Sequence, residues 1–237
     1  MAGHGRKRHL KRLAAPRVMP VQRKTFVWLK KTGAGAHKKD ESIPALVALR
    51  DILQIAGSAR EARKILRAKE FFVDGKAVCD EAFPIGLMDV VSIPKTNSYY
   101  RVLARKGKLA FTPIAAEEAK QKLCRVMNKT PVKNGRIQLN LHDGRNCLIE
   151  KEEDQFSVGD TLKIALPTQK IEGFIKLEKG AQCYIFKGKH AGSTAVLEKI
   201  IEYPYGTPSD AVLKNEKGEE LITLKDYLFV VDKNFKI

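Results

Sequence analysis

Acidic residues are missing from the first 39 positions of this 237-residue chain. Residues 1–40 carry twelve Lys or Arg side chains and the single acid Asp40, so this segment holds 12 − 1 = +11 of the total net charge of +17. A run of one sign this dense repels itself unless a polyanion neutralises it. The charge distribution therefore indicates a polyanionic partner, of which nucleic acid is the most common.

Paired cysteines and long apolar runs are also missing. Cys79, Cys124, Cys147 and Cys183 stand apart, which argues against a zinc or redox motif and predicts four reduced, packed thiols. No stretch approaches the roughly 18 apolar residues of a membrane helix, and no signal-peptide pattern follows the basic start. We therefore expect a soluble, cytoplasmic protein without a metal or another cofactor.

Catalytic motifs are equally scarce. The five histidines lie in the basic segment or beside turns, without a second ligand at metal spacing. Gly33-Ala34-Gly35 lacks the third glycine of a dinucleotide-binding loop, and no Gly-Lys-Ser/Thr phosphate loop occurs. The alternative of an RNA-modifying enzyme requires a separate catalytic domain, and the acids of residues 150–154 are interpreted more simply as an exposed turn. The sequence predicts a binding protein and not an enzyme.

Residues 1–40 are predicted to form an extended basic arm, because prolines and glycines interrupt regular structure in it. We expect this arm to be disordered until RNA orders it. Its apolar stretch, residues 26–29, contains Trp28, the only tryptophan of the chain. Because a tryptophan gains much by packing, Trp28 either docks on the folded body or on RNA, or it belongs merely to a strand fragment.

Residues 41–95 are predicted to form two helices followed by strands. Pro44 suits the first turn of a helix that runs to about residue 53. Ser58-Ala-Arg-Glu61 is a capping box for a second helix, which runs to about residue 68. Four cations of this second helix fall on one face, at spacing i, i+3, i+4 and i+7: Arg60, Arg63, Lys64 and Arg67. Such a face is either merely solvated or an RNA contact, and the like charge of the preceding arm favours RNA.

Turn signals divide the rest of the chain into short strands. Tight turns are predicted at Asp74-Gly75, Pro84-Ile85-Gly86, Lys106-Gly107, Asn134-Gly135 and Asp143-Gly144. Strands are expected over residues 89–93 and 160–164, and a helix over about residues 117–125 interrupts a mainly β region that spans 96–169.

Residues 170–237 form a third unit in this interpretation. It begins with a strand over 171–177, and alternating apolar residues recur at 221–224 and 229–231. Glycines at 180, 188 and 192 allow the sharp corners of a small barrel. The predicted fold class is α+β and multidomain.

Several of these segments resemble one family, the archaeal and eukaryotic small-subunit ribosomal protein number four, e-type. The resemblance lies in residues 9–16 (His-Leu-Lys-Arg-Leu-Ala-Ala-Pro), in Thr32-Gly33 with His37-Lys38, and in residues 84–93. Residues 117–124 resemble the central-domain helix of the family, and Val158-Gly159-Asp160-Thr161 resembles its final strand. The chain ends soon after residues 229–231, which is similar to the shorter, archaeal form.

The resemblance implies an N-terminal extension (1–40), an RNA-binding module of the alpha-L type (41–95), a central β domain (96–169) and an SH3-like barrel of the KOW type (170–237). Gly188, Lys189 and Gly192 match the KOW pattern. Ser193 and Ala195 replace the arginine and glycine often found there, so the match predicts the fold of this unit and leaves open whether the unit contacts RNA.

The family function implied is a structural constituent of the small ribosomal subunit, which binds ribosomal RNA in its 5′ region beside neighbouring ribosomal proteins. Neither a membrane nor a homo-oligomer is expected. Charge and resemblance together predict the following RNA-binding residues: Arg6, Lys7, Arg8, His9, Lys11, Arg12, Arg17, Arg23, Lys24, Lys30, Lys31, His37, Lys38, Arg60, Arg63, Lys64, Arg67 and Lys189.

Overall fold

The structure, a computed structural model, describes residues 9–132, 135–151, 154–204, 206–215, 218–232 and 235. It is mostly β-sheet with few helices, so the helical part of the predicted α+β fold is smaller than expected. The chain divides into two compact units. The first comprises the described residues up to Val102 together with Lys108–Ile114, and the second comprises Leu103–Gly107 and the described residues from Ala115 onward.

The described part of the basic arm, residues 9–40, is folded onto the first unit. We call it the N-terminal segment. Strand β1 (Leu10–Lys11) pairs antiparallel with β2 (Trp28–Leu29), and a short 3-10 helix follows β1. Four of its apolar side chains are buried in the core of the unit: Leu10, Ala15, Met19 and Leu29. The expectation of disorder is therefore wrong for residues 9–40, because burial of these side chains compensates the ordering of the backbone.

The first predicted helix is present, but its second half is wound differently. After β3 (Ile43–Pro44), helix α1 (Ala45–Val47) continues directly as a π-helix (Ala48–Ile52). Residues 43–49 are buried without a break. Residues 45–49 are apolar on every side, which is typical of a helix in the interior of a domain, and they lie within the first core.

Helix α2 (Ala59–Arg67) confirms the second predicted helix. The Ser58 hydroxyl accepts a hydrogen bond from the Glu61 amide at 3.3 Å, as the capping box predicts. The Glu61 carboxylate accepts from the amide of Gly57 at 2.8 Å, one residue before the predicted donor. Ala62 and Leu66 are buried and hold the helix on the core. None of the helices in the described ranges is long and apolar enough to span a membrane.

Six further strands follow in chain order: β4 (Phe72–Val73), β5 (Lys76–Ala77), β6 (Pro84–Ile85), β7 (Val90–Ile93), β8 (Ser98–Arg105) and β9 (Lys108–Pro113). Five of them form an antiparallel sheet in the order β5-β4-β7-β8-β9, and β6 pairs with β3. Strands β8 and β9, which the sequence assigns to the central domain, thus share a sheet with β4, β5 and β7.

Two of the predicted hairpin turns in this part of the chain are confirmed. Asp74 and Gly75 have φ values of 51° and 75°, and Lys106 and Gly107 have 50° and 73°, as a tight two-residue turn requires. The turn predicted at residues 84–86 is wrong, because β6 occupies two of these residues. The chain reverses directly afterwards, where Met88 has a φ of 62°.

The central sheet of the second unit has five antiparallel strands: β10 (Gln121–Pro131), β11 (Ile137–Leu141), β12 (Asn146–Ile149), β13 (Thr161–Ala165) and β14 (Ile171–Ile175). Their order is β12-β11-β10-β13-β14. The turn at Asp143-Gly144 joins β11 to β12 as predicted, whereas Asn134 of the other predicted turn lies outside the described residues. β14, which the sequence assigns to the third unit, pairs with β13 of this sheet.

The helix predicted over residues 117–125 is wrong. Only a 3-10 helix (Glu118–Lys120) is present, and β10 begins at Gln121. The residues there are good helix formers, but β10 pairs with β11 on one side and β13 on the other. Residues 122–126 are all buried, so the central position in a sheet outweighs a weak local propensity.

A second sheet of this unit contains β15 (Gln182–Ile185), β16 (Thr194–Ile201), β17 (Asp210–Lys214), β18 (Glu220–Leu224) and β19 (Leu228–Val230). The strand order is β18-β17-β16-β15-β19, and all neighbouring pairs are antiparallel. β18 and β19 confirm the strands predicted at residues 221–224 and 229–231, but residues 228–231 are all buried, so the alternation predicted there is wrong. Side chains such as Ile185, Leu213 and Val230 form the core beneath it.

Candidate nucleic-acid interface

The four cations of α2 lie on its solvent face, as their spacing predicts. We call Arg60, Arg63, Lys64 and Arg67 the α2 stripe; all four are exposed, whereas Ala62 and Leu66 on the other side are buried. Arg63 is paired with Glu81, and the described residues hold no ion-pair partner for the other three. The stripe therefore presents a fixed row of positive charge to the solvent.

Glu81 joins this helix to the N-terminal segment. Its carboxylate accepts a hydrogen bond from Lys30 Nζ through one oxygen and from Arg63 Nε, at 2.6 Å, through the other. Partial burial opposes ionisation, but the hydrogen bonds and charges of Lys30 and Arg63 outweigh it and lower the pKa of Glu81. Two of the predicted RNA-binding cations are therefore partly neutralised by one acid.

Arg12 holds the N-terminal segment together from within. Only 2% of it is exposed, and its Nε donates to the Gln22 carbonyl at 2.6 Å while Nη2 pairs with Asp51 Oδ1 at 3.3 Å. A guanidinium in this position cannot reach a phosphate outside. The structure therefore does not support the predicted RNA contact of Arg12, and we leave this residue out of the interface. No local pattern in the sequence indicates that this charge is used internally.

His37 is the second predicted RNA contact that lies inside. Its side chain is 6% exposed, and Nε2 lies 2.9 Å from Asp89 Oδ1. Asp89 Oδ2 accepts a hydrogen bond from the Gly86 amide at 2.8 Å. A Cβ atom at Gly86 would stand 2.2 Å from the His37 ring, so the backbone and the imidazole are in close contact. His37 thus packs within the first unit, and we do not include it in the interface.

The other predicted residues of the N-terminal segment differ in exposure. Five are exposed: His9, Lys11, Arg17, Lys24 and Lys38. Three are half-buried: Arg23, Lys30 and Lys31. Arg6, Lys7 and Arg8 lie outside the described residues. Exposed positive charge is therefore retained in this segment, but by fewer of its cations than the sequence predicts.

Sequence reasoning missed the exposure of the apolar residues in the same segment. Trp28 belongs to a short strand, which is one of the two predicted alternatives, yet 56% of its surface is exposed. Phe26 and Val27 are exposed at 70% and 64%. Only the neighbouring Leu29 enters the core. The feature of the sequence that could have indicated this exposure is the concentration of large apolar residues in a cationic stretch.

Lys189, the predicted contact of the second unit, is also exposed. Together with Lys106 and His190 it lines an open cavity of about 480 Å³. Gly192, with a φ of 97°, stands beside this cavity, and a Cβ atom there would lie 3.0 Å from the Ala104 carbonyl oxygen. The glycine is therefore required for a close backbone contact within this unit.

A buried polar cluster in the second unit has the donor types of a metal site but the charges of an ion pair. Ligand-type atoms of Cys124, His142 and Asp143 lie within 4.8 Å of one another. However, the Asp143 carboxylate is 3.0 Å from Lys122 Nζ and 3.1 Å from Arg145 Nε. Burial opposes ionisation of Asp143, but these cations and His142 outweigh it and lower its pKa. A metal ion would have to displace a buried ammonium group, so the residues do not fit one.

The cysteines are free, as predicted, but they are not all packed. Cys124 and Cys183 are buried, Cys147 is half-buried and Cys79 is exposed. Burial raises the pKa of the Cys183 thiol to about 12. The prediction of a packed thiol is wrong for Cys79, which follows the short β5 and is exposed.

Two family models match the chain. The model described as "Ribosomal family S4e" matches residues 96–171, and the "RS4NT (NUC023) domain" matches residues 4–40. The small ribosomal subunit protein eS4 of Methanocaldococcus jannaschii is 46% identical over 238 residues, covering 98% of this chain and 96% of that protein. The eS4 protein of Methanothermobacter thermautotrophicus is 43% identical over 235 residues, covering 99% and 96%.

A solved structure is similar as well. The 30S ribosomal protein S4e from Thermoplasma acidophilum superimposes with a TM-score of 0.70 and is 34% identical, covering 83% of this chain and 97% of that chain. Sequence and fold similarity thus extend over most of the chain, including the N-terminal segment and the central sheet.

Proposed function

Because the chain belongs to the S4e family of ribosomal proteins, and is thus a structural constituent of the small ribosomal subunit and not an enzyme, we propose that it binds ribosomal RNA through two sets of cations. One set is the α2 stripe, and the other is the exposed cations of the N-terminal segment. The observation that carries the proposal is the stripe, in which four cations of one helix all reach the solvent.

Binding through these cations is electrostatic. Each side chain that reaches a phosphate releases condensed counterions from the RNA, so the logarithm of the affinity falls linearly with the logarithm of the salt concentration. A row of charge on a rigid helix fits the regular spacing of phosphates along folded RNA and needs no contact with base edges. Only a cation that reaches a phosphate takes part in this mechanism. RNA binding therefore depends on the exposure of the cations and not on net charge alone.

The assignment of domains and the identity of the bound RNA belong to the same proposal. Residues 41–95 act as the alpha-L type RNA-binding module, supported by the capped α2 and its stripe. Residues 96–169 contain the central domain, although β8 and β9 share the sheet of β4, β5 and β7. Residues 170–237 contain a KOW-type, SH3-like barrel, although β14 pairs with the central sheet; the five-stranded sheet of β15–β19 and the positive φ of Gly188 and Gly192 support it. The RNA bound is the 5′ region of the small-subunit RNA, and one copy of the chain binds it; both rest on the family resemblance.

Reversing the charge of the stripe tests the proposal. In the double variant Arg60→Glu with Arg67→Glu, we expect the affinity for small-subunit RNA to fall by at least about tenfold and the salt slope to fall by about 2, one for each phosphate that is no longer neutralised. Arg63 is left unchanged because a glutamate there would face Glu81. Filter binding at several salt concentrations measures both quantities, and thermal unfolding verifies the fold.

A matched control separates the stripe from net charge. Lys170→Glu with Lys179→Glu makes the same change in charge at two exposed positions of the second unit. We expect this variant to keep most of the affinity and the salt slope. Equal losses in the two double variants would show that total charge and not the stripe decides binding, and would contradict the proposal.

A further inference from the structure

Four large apolar side chains of the N-terminal segment remain in solvent although a core lies beside them. Leu13 is 68% exposed, Phe26 70%, Val27 64% and Trp28 56%. We call these four residues the aromatic platform. They share one place in the chain, since the Arg12 amide donates to the Val27 carbonyl at 2.9 Å and so joins the stretch that contains Leu13 to the stretch of residues 26–28. A group of exposed apolar residues of this kind marks an interaction site.

The exposure is built into the fold of the segment. Besides the amide contact, Arg12 Nε binds the Gln22 carbonyl from inside the loop, and Arg23 Nη1 donates to the Leu13 carbonyl at 3.0 Å. Leu10 and Leu29, which flank the loop on both sides, are buried in the core. The loop that carries the platform is therefore fixed at both ends by buried residues. Binding to the platform would require little ordering of the chain.

The rings of the platform already contact cationic or aromatic groups. The His9 and Trp28 ring centroids are 5.5 Å apart with an interplanar angle of 54°, and the Arg12 guanidinium carbon lies 5.8 Å from the Phe26 centroid. More than half of both Phe26 and Trp28 nevertheless remains exposed. Each ring is thus supported by a neighbour and still offers surface to a further flat group.

The surrounding charge indicates which flat group this is. Lys11, which pairs with Trp28 across β1 and β2, is exposed, and so are Arg17 and Lys24 of the same loop. No acid occurs in residues 1–39. Lysine is depleted from the core of protein interfaces, whereas a single nucleic-acid strand supplies both phosphates for the cations and unpaired bases for the rings.

We propose that the aromatic platform stacks unpaired bases of single-stranded RNA, while Lys11, Arg17 and Lys24 bind the adjoining phosphates. This inference rests on the proposed function and adds to it the kind of RNA that this surface takes. Helical RNA keeps its bases stacked inside and cannot use the rings, whereas the α2 stripe takes phosphates from either form. The two surfaces of the first unit thus differ in the RNA structure that they select.

Trp28 reports on its own contacts, because it is the only tryptophan of the chain. With the full chain, we expect a short oligouridylate to quench its fluorescence, and an RNA duplex of the same length to bind without quenching. Anisotropy of labelled RNA measures the two affinities. Trp28→Ala should weaken single-strand binding by about 5- to 150-fold, the equivalent of one stacked base, and should leave duplex binding nearly unchanged.

Three further variants make the readout specific. Trp28→Phe keeps a ring and should retain most of the single-strand affinity, whereas Phe26→Ala should weaken it in the same direction as Trp28→Ala. Tyr203→Ala removes another exposed aromatic side chain, in the second unit, and should change neither affinity. The unfolding temperature of each variant is measured, and it should stay near that of the parent chain because all three side chains are exposed.

The outcomes separate this inference from the proposed function. Single-strand affinity unchanged in Trp28→Ala, or equal quenching by duplex and single strand, would overturn the inference. If the α2 double variant loses affinity for both RNAs in the same experiment, the proposed function still stands; if the parent chain binds neither RNA, the proposed function itself fails. Fluorescence that responds to neither RNA, combined with loss of Trp28→Ala from assembled subunits, would assign the platform to a protein neighbour and overturn the inference.

Discussion

Helix α2 and the N-terminal segment are both rich in cations, but they use them differently. On α2 all four cations of the stripe are exposed. In the N-terminal segment, Arg12 is buried beside Asp51, Lys30 binds Glu81, and the exposed cations stand between them along the chain. The same residue types thus face the solvent in one region and, in part, form internal ion pairs in the other.

The difference follows from regularity. A helix repeats every 3.6 residues, so its buried apolar residues determine which positions must face the solvent. The N-terminal segment has two-residue strands and loops, and no period separates its inward cations from its outward ones. An inward cation needs an acid from elsewhere in the chain, and the two acids used here, Asp51 and Glu81, lie beyond the segment.

We expect the largest effect of a buried cation on stability in the second unit. There Lys122 pairs with Asp143, and both side chains are about 1% exposed. We expect Asp143→Asn to lower the free energy of unfolding by about 3–5 kcal/mol, because a buried ammonium loses its counter-charge. Urea unfolding measures the effect. Glu150→Gln is the matched control, since its partner Arg136 belongs to an exposed pair and the loss should stay below about 1 kcal/mol.

The same pair gives a pH dependence with a defined sign. The pKa of Asp143 is lower in the folded chain than its ordinary value, so its contribution is complete above the ordinary value and is lost as the pH falls through the folded value. The parent chain should therefore lose stability more steeply than Asp143→Asn as the pH falls below the ordinary pKa of 3.8. Parallel curves for the two chains would show that this carboxylate is not stabilised by its neighbours.

Arg12→Ala tests inward charge within the N-terminal segment. We expect a loss of about 3 kcal/mol in unfolding free energy, because the Gln22 carbonyl loses its donor and Asp51 loses one of its two arginine partners. The salt slope of RNA binding should not decrease. Lys11→Ala should do the opposite, changing stability by less than about 0.5 kcal/mol and lowering the slope by about 1. A lower slope with intact stability in Arg12→Ala would place Arg12 among the RNA contacts after all.

The sequence predicted those elements in which local signals and tertiary packing agree. Ser58 and Glu61 mark the start of α2, and Asp74-Gly75 and Lys106-Gly107 specify their turns because few other residue pairs adopt that backbone conformation. The predicted helix at residues 117–125 fails for the opposite reason. Its helix formers prefer a helix by tenths of a kcal/mol, and the two ladders of β10 outweigh that preference.

The interface was predictable to the extent that periodicity or family resemblance covered it. The α2 stripe followed from spacing alone. The inward positions of Arg12 and His37 could not be derived, since their partners Asp51 and Asp89 lie 39 and 52 residues away along the chain. The aromatic platform was noticed in the sequence only as an apolar island, because exposure depends on how the loop between β1 and β2 closes.

Glu81 pairs with one cation from each region, Lys30 of the N-terminal segment and Arg63 of α2. Its removal should therefore free both cations for binding to RNA. In Glu81→Gln, Lys30 and Arg63 lose their shared counter-ion, and a negative charge leaves the neighbourhood of the stripe. We expect tighter RNA binding, with a salt slope larger by up to about 2, and a loss of stability below about 1 kcal/mol. Filter binding at several salt concentrations and urea unfolding measure the two effects.

The control for this variant is Glu70→Gln, which makes the same change in charge and releases Lys95, a residue outside both sets of cations. An equal gain in affinity would mean that net charge explains the result. Pairing with Glu81 would then not limit the contribution of Lys30 and Arg63 to RNA binding. The stability difference should also depend on pH. Because the folded pKa of Glu81 is lowered from 4.5, its contribution is present at neutral pH and disappears as the pH falls through the folded value, so parent and Glu81→Gln should converge in acid.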